Sequence, residues 1–246
     1  MNRNEWIAKC HHWKQKWPVM QPEYNNDTNG LNIYAVLDAV NRYSTANDIL
    51  MGDAGSISYA GPVALNAKKG QRFIFSPAQA DMGWALPAAI GVALAAPDHN
   101  VISIIGDGSF MSNIQELAVA RYYNLNIKFI VLNNGGYLSI KNTQTKYFDG
   151  RVYGTDDKTG LKFPSFHAVA KTFELDSYRI ATTEDLNSIF DSSIHSVGPK
   201  IIECVCTREQ EILPAQALKN GKQAGLHDMT PFLSDEELNS EMVTKL

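Results

Sequence analysis

"GDGSFMSN", residues 106 to 113, decides how this chain is to be read. It follows an apolar run, Val101 to Ile105, and precedes a helical pattern from Glu116 to Tyr123. An acidic residue between two glycines therefore marks the point where a strand turns into a helix. Asp107 stands where helix N-terminal amides collect, so it either caps them or holds something else there.

Outward from this point, strand-like and helical runs alternate. "NVISIIGDG" and "IKFIVLNNGG" are continuous β-branched runs, as in strands buried on both faces. "DILMGDAGS" and "RFIFSP" before them, and "SYRIA" and "KIIECVCT" after them, read as further strands. "NIYAVLDAVNRYS" places Ile33, Val36, Leu37 and Val40 on one helix face. "MGWALPAAIGVALAAP" reads as a small-residue helix buried nearly all round, and "FPSFHAVAKTFE" and "TEDLNSIFDSSIHSVG" as two more. The alternation predicts an α/β fold, a parallel central sheet with helices on both faces. Residues 1–30 read as an irregular linker segment ending in "NNDTNG", 31–207 as the domain, and 208–246 as a C-terminal tail.

Composition narrows the function classes. With 246 residues, 44% hydrophobic and 20% charged, the chain has the makeup of a soluble globular protein. A net charge of -4 argues against nucleic acid as a partner. No apolar run approaches the roughly 20 residues of a membrane span. The start of the chain sets Trp6, Trp13 and Trp17 among Lys and His and shows no signal-peptide core. Cys10, Cys204 and Cys206 form no CxxC pair and read as reduced core thiols of a cytoplasmic protein.

Parallel α/β sheets bind ligands beyond the carboxyl ends of their strands. The polar residues that break the apolar runs lie at those ends: Asp53, Gly55 and Ser56, then Ser76, then Asp107 to Ser109, then Asn133 to Gly136. Asp107 and Asn134 are 134 − 107 = 27 residues apart, room for one right-handed crossover between parallel strands. Adjacent strands lie about 4.8 Å apart, so a carboxylate and an amide at their ends can meet on one small ion. Both offer oxygen, the ligand that Mg2+ prefers, and Mg2+ usually combines one or two carboxylates with phosphate oxygens. Gly106 and Gly108 let backbone amides approach an anion, while Gly135 and Gly136 free a carbonyl as a further ligand. "GDG" and "NNGG" are each ordinary turn sequences on their own. Paired at this spacing after two buried strands, they predict a diphosphate held through Mg2+.

The stretch "GDGSFMSNIQELAVARYYNLNIKFIVLNN" resembles the thiamine diphosphate motif, which begins GDG and ends NN after about thirty residues. "DMGWALPAAIGVALAAPDHNVISIIGDGSF" is similar to the pyrophosphate-binding (PP) domain of the acetolactate synthase-like branch of thiamine-diphosphate-dependent enzymes, and the likeness runs from Asn32 to Thr207. "WKQKWP" and "HDMTPFLSDEE" resemble the branch's linker and C-terminal segment. The resemblance implies Mg2+ held by Asp107, Asn134 and the Gly136 carbonyl. It implies a diphosphate on Gly108, Ser109, Gly55 and Ser56. Met82 would prop the bent cofactor, and the Ala80 carbonyl would accept a hydrogen bond from its aminopyrimidine. A plainer role for Met82 is core packing at a helix start.

In the family, the activating glutamate sits on a pyrimidine-binding domain. The resemblance therefore implies such a domain or subunit as partner, and a homo- or hetero-oligomer. Glu116 reads as structural. FAD accompanies many members of the branch, but its binding domain is not among these residues. The implied function is a decarboxylating carboligase acting on a 2-oxo acid, with pyruvate as donor. Ile140 replaces the glutamate of simple 2-oxo acid decarboxylases, and Thr143 replaces the acceptor-selecting tryptophan of acetolactate synthases. "NNGGYLSIKNTQ" is more similar to relatives from surface-sugar pathways, which implies a keto sugar nucleotide as acceptor. A split decarboxylase subunit of the sulfopyruvate type and a non-catalytic cofactor-binding paralogue remain as rivals. A dinucleotide binder is disfavoured, since no GxGxxG follows a strand.

Overall fold

The structure is a computed structural model that describes residues 2–244. The chain divides into two compact units, residues 1–210 and 211–246.

The first unit carries the sheet. After α1 (Arg3–Lys16), its elements are α2 (Ile33–Tyr43), β1 (Asp48–Gly52), α3 (Ser56–Ala64), β2 (Arg72–Ile74), α4 (Ala85–Ala95) and β3 (Asn100–Gly106). Then follow α5 (Asp107–Met111), α6 (Leu117–Tyr122), β4 (Ile127–Asn133), α7 (Leu138–Tyr147), α8 (Phe166–Thr172), β5 (Asp176–Ile180), α9 (Thr183–Ser193) and β6 (Lys200–Val205). The six strands are all parallel, in the order β2-β1-β3-β4-β6-β5. The predicted α/β architecture is the one observed.

Strand order reverses between β1 and β3. From β1 the chain moves outward to the edge strand β2, and from β3 it moves the other way to β4. The loops after β1 and β3 diverge there and leave a crevice.

Both faces of the sheet are covered, as the buried β-branched runs require. On one face Met51, Val101, Ile105, Ile127, Phe129 and Val131 form a core with Leu86 and Ala89 of α4, Phe110 of α5 and Phe166 of α8. Phe110 meets Phe129 and Phe166 edge-on, with centroids 6.1 and 5.7 Å apart. Such pairs add about 0.5–1.5 kcal/mol to the burial itself. The other face is packed by α2, α3 and α9, and α2 alone buries seven residues. α4 is not buried all round as its composition suggests. Leu94 is 51% exposed, because a helix in an outer layer turns only one side to the sheet.

The amino ends of the strands close with a buried polar network. Asp48 of β1 accepts from the Asn100 amide (3.1 Å), from His195 Nε2 (2.9 Å) and from Thr45. Lys128 of β4 is fully buried and donates to Asn100 Oδ1 (3.2 Å), Asn126 Oδ1 (2.6 Å) and the Gly198 carbonyl (3.2 Å). All three of its protons are thus used. Burial lowers the Lys128 ammonium to about 8, helped by neighbouring Lys200 and opposed by Asp48.

Three helices escape the periodicity argument. Residues 3–16 are helical, not irregular, because Asn2 and Glu5 form a reciprocal capping box and no Pro or Gly interrupts them. α1 buries no residue, so it has no apolar stripe to read. α7 is similarly polar, and α3 carries Pro62. The helix expected from Glu116 starts instead as a 3-10 turn, Ile114–Glu116, that leads into α6. Cys204 and Cys206 are buried and unpaired as expected, whereas Cys10 is half-exposed on α1 and is no core thiol.

The second unit, described to residue 244, holds a two-residue hairpin, β7 (Leu218–Lys219) with β8 (Lys222–Gln223), and α10 (Asp235–Glu241). Lys219 ties the unit together by pairing with Asp228 (2.7 Å) and Asp235 (3.0 Å). No helix of the described residues is long and apolar enough to cross a membrane.

Candidate cofactor and metal site

The crevice at the switch point is built from the loops after β1, β2, β3, β4 and β6. β3 and β4 run side by side with Gly106 opposite Leu132, so Asp107 and Asn134 emerge from adjacent strand ends. Asp107 is 2% exposed. Its Oδ1 accepts from Gly108 N (2.7 Å), and its Oδ2 accepts from Gly135 N (2.8 Å) and Gly136 N (3.0 Å). One carboxylate oxygen thus takes a first-turn amide of α5, and the other faces the loop after β4. It has no ion pair with a described residue, and burial raises its carboxyl to about 6, against the lowering effect of the Gly108, Gly136 and Gly135 amides.

The two asparagines after β4 do different work. Asn133 donates to Glu203 Oε1 (2.6 Å) and accepts from Gly135 N (3.0 Å), so it is consumed in holding the loop to β6. Asn134 lines the crevice, and its side chain makes no hydrogen bond with a described residue. The same is true of the Ser56 and Ser109 hydroxyls. Gly136 O accepts a single long bond from Leu138 N (3.2 Å), which leaves a lone pair.

Close approach explains two glycines. A Cβ at Gly108 would stand 2.1 Å from the Tyr137 ring, and one at Gly136 would stand 1.9 Å from the Thr155 carbonyl oxygen. Neither position tolerates a side chain without moving a neighbour.

Of the nine expected site residues, eight line one crevice: Gly55, Ser56, Met82, Asp107, Gly108, Ser109, Asn134 and Gly136. Met82 is 43% exposed two residues past Ala80, so it does not serve as core packing. Ala80 does not line the crevice. It is held at a φ of 53°, a conformation uncommon for a residue with a Cβ, by the bond from its N–H to Ser76 O (2.9 Å). Asp53 also turns away. It is buried and accepts from Ala54 N (2.6 Å) and Ala85 N (3.2 Å), so it caps α4 from the end of β1. Ile140 is exposed on the crevice wall, while Thr143 lies off it, its hydroxyl on Ser139 O (3.0 Å). Glu116 does not line the crevice and lies in the 3-10 turn Ile114–Glu116. Sequence reasoning missed Tyr137 and Gln210, both of which line the site. Gln210 Oε1 accepts from Ile33 N (2.8 Å) across 177 residues, a separation no local pattern signals.

Residues 53–204 match the family described as thiamine pyrophosphate enzyme, C-terminal TPP binding domain. The chain belongs to this family. The matched segment runs from the loop after β1 into β6 and includes every residue of the crevice except those contributed by α2, Cys206 and Gln210. Curated relatives of this chain include acetolactate synthase large subunits. That of Cyanidium caldarium is 28% identical over 231 residues, covering 92% of this chain and 38% of its own length. That of Parasynechococcus marenigrum (strain WH8102) is 29% identical, covering 85% and 33%, and the chloroplastic acetolactate synthase of Arabidopsis thaliana is 26% identical, covering 85% and 31%. The chain thus spans about a third of the length of these relatives.

Proposed function

We propose that the crevice binds thiamine diphosphate through Mg2+, and that the chain supplies this half of the active site of a decarboxylating carboligase. The carrying observation is the unsatisfied oxygen set at the switch point. A buried carboxylate with no ion pair to a described residue, only the longer-range charge of Arg208, stands beside an amide and two hydroxyls that have no hydrogen bond among the described residues. Burying an anion without a counter-ion is costly, and a hard divalent cation offsets that cost. Asp107, Asn134 and the Gly136 carbonyl would hold the metal. Gly55, Ser56, Gly108 and Ser109 would face the diphosphate, the first two at the start of the nine-residue helix α3.

Bound thiamine diphosphate supplies an acidic carbon and an electron sink for loss of CO2 from a 2-oxo acid. This chain's residues anchor and orient it. Met82, exposed on the crevice wall, would support the bent form with Ala80 beside it. The activating glutamate is assigned to a pyrimidine-binding domain or subunit that completes the site in an oligomer. The family and the acetolactate synthase relatives support this reading, with pyruvate as donor. Ile140 on the wall supports carboligation over simple decarboxylation. A keto sugar nucleotide as acceptor rests on the resemblance of "NNGGYLSIKNTQ" alone, since Thr143 lies off the crevice wall.

The test uses the complete enzyme, with carboxyl-labelled pyruvate and each acceptor class. CO2 release with a keto-sugar product bears out the reading. Release with a simple keto acid alone overturns the acceptor, and no release overturns the donor.

A further inference from the structure

The segment 154–161 lies against the loop that carries Asn134 and Gly136. Gly136 forms an isolated antiparallel bridge with Asp156, and Tyr137 N donates to Thr155 O (2.8 Å). The fit is so close that only glycine clears the Thr155 oxygen at position 136. Thr155 and Asp156 are 1% and 6% exposed, unusual burial for polar loop residues. The turn is closed on itself by Gly154 N to Thr159 O (2.8 Å) and Leu161 N to Asp156 O (2.8 Å).

The Asp156 carboxylate joins the two parts. Oδ1 accepts from Thr159 Oγ1 (2.9 Å) and Lys158 N (3.2 Å), both inside the turn. Oδ2 accepts from Lys141 Nζ (3.0 Å), on α7, the helix that continues the loop. On the far side of the loop, Gly135 and Gly136 donate to Asp107. The loop is therefore gripped from both sides, by the Asp107 carboxylate and by this turn.

We propose that Asp156, acting through Lys141 and the backbone bridge to Gly136, is a positioning residue that holds the Asn134 and Gly136 oxygens at the separation from Asp107 that a divalent cation needs. The inference rests on the reading that this loop holds Mg2+. Side chains that orient metal ligands without touching the metal typically change metal affinity about 10–100-fold when removed. With its carboxylate largely out of water, the Lys141–Asp156 pair is less screened than a surface ion pair.

Asp156→Asn is the informative variant, because it keeps the acceptor for Thr159 and Lys158 and loses only the tie to Lys141. Two measurements on the full chain separate the possibilities. Hydrogen exchange without metal reads positioning directly. The Gly135 and Gly136 amides should exchange on the order of tenfold faster, while those of β3 stay as they are. Mn2+ titration with thiamine diphosphate, followed by electron paramagnetic resonance, should show binding weakened about 10–100-fold. Lys141→Met should match Asp156→Asn, and the double variant should add nothing further. Unchanged Gly135 and Gly136 exchange reduces the turn to packing and overturns the inference. Faster exchange with unchanged Mn2+ affinity overturns it as well. A wild type that binds no Mn2+ with the cofactor overturns the underlying reading too, whereas a wild type that binds beside unimpaired variants overturns only the inference.

Discussion

The two ends of one sheet carry the same kinds of residues and treat them oppositely. At the amino ends, Asp48, Asn100 and Lys128 satisfy one another, and every Lys128 proton has an acceptor. At the carboxyl ends, Asp107 is as buried as Asp48 but meets only backbone amides, and Asn134, Ser109 and Ser56 are left without partners among the described residues. A satisfied polar network specifies and rigidifies a fold. At the proposed site, the open side chains are the ones a bound ion and diphosphate would use. The difference separates stability from function along the length of the same strands, about seven residues apart in β3.

The comparison breaks most sharply at Asp48. Replacing it with Ala strands His195, Thr45 and the charge on Lys128, and should cost about 3–5 kcal/mol, read as a fall in urea midpoint at unchanged m-value. Cofactor affinity of the remaining folded chain should not move. A loss below about 1 kcal/mol would mean the network is not a stability element.

Lys128 sharpens it through pH. Its folded value near 8 lies below the ordinary 10.5, so the charged ammonium is disfavoured by folding. The penalty is fully present below pH 8 and is relieved as pH rises through 8 towards 10.5. Relative to Lys128→Met, the wild type should gain about 3 kcal/mol across that window. A flat difference would show that the ammonium is not desolvated.

The smallest effect on stability belongs to the open end. Asn134→Ala removes no side-chain hydrogen bond with a described residue, so chemical denaturation should shift by under about 0.5 kcal/mol. The affinity for thiamine diphosphate with Mg2+ should nevertheless fall at least about tenfold, one lost charge-assisted ligand being worth about 1.5–3 kcal/mol. Destabilisation comparable to Asp48→Ala would place Asn134 in the scaffold.

Much of this contrast is legible in sequence, and for a definite reason. Strands buried on both faces read as unbroken apolar runs, so the polar residues that end them stand out, and 27 residues between Asp107 and Asn134 fit one crossover. The amino-end network does not stand out, because its members lie at 48, 100, 126, 128 and 195 and meet only through the fold. Which asparagine of the pair stays open is also a tertiary matter, decided by Glu203 taking Asn133. The Asp156 turn and α7 are invisible to hydrophobic periodicity because both are mostly polar. Ala80 and Thr143, placed by resemblance alone, do not line the crevice, and neither does Asp53, which caps α4.

The carboxyl end, in the proposed reading, is built to hold a divalent cation. Calorimetric titration of the chain with thiamine diphosphate, with and without Mg2+, on wild type and Asp107→Ala, tests it most directly. The account predicts binding that requires Mg2+ and a loss of at least about 100-fold in the variant, some 2.7 kcal/mol. Binding by wild type that is indifferent to Mg2+, or equal binding by Asp107→Ala, would contradict it.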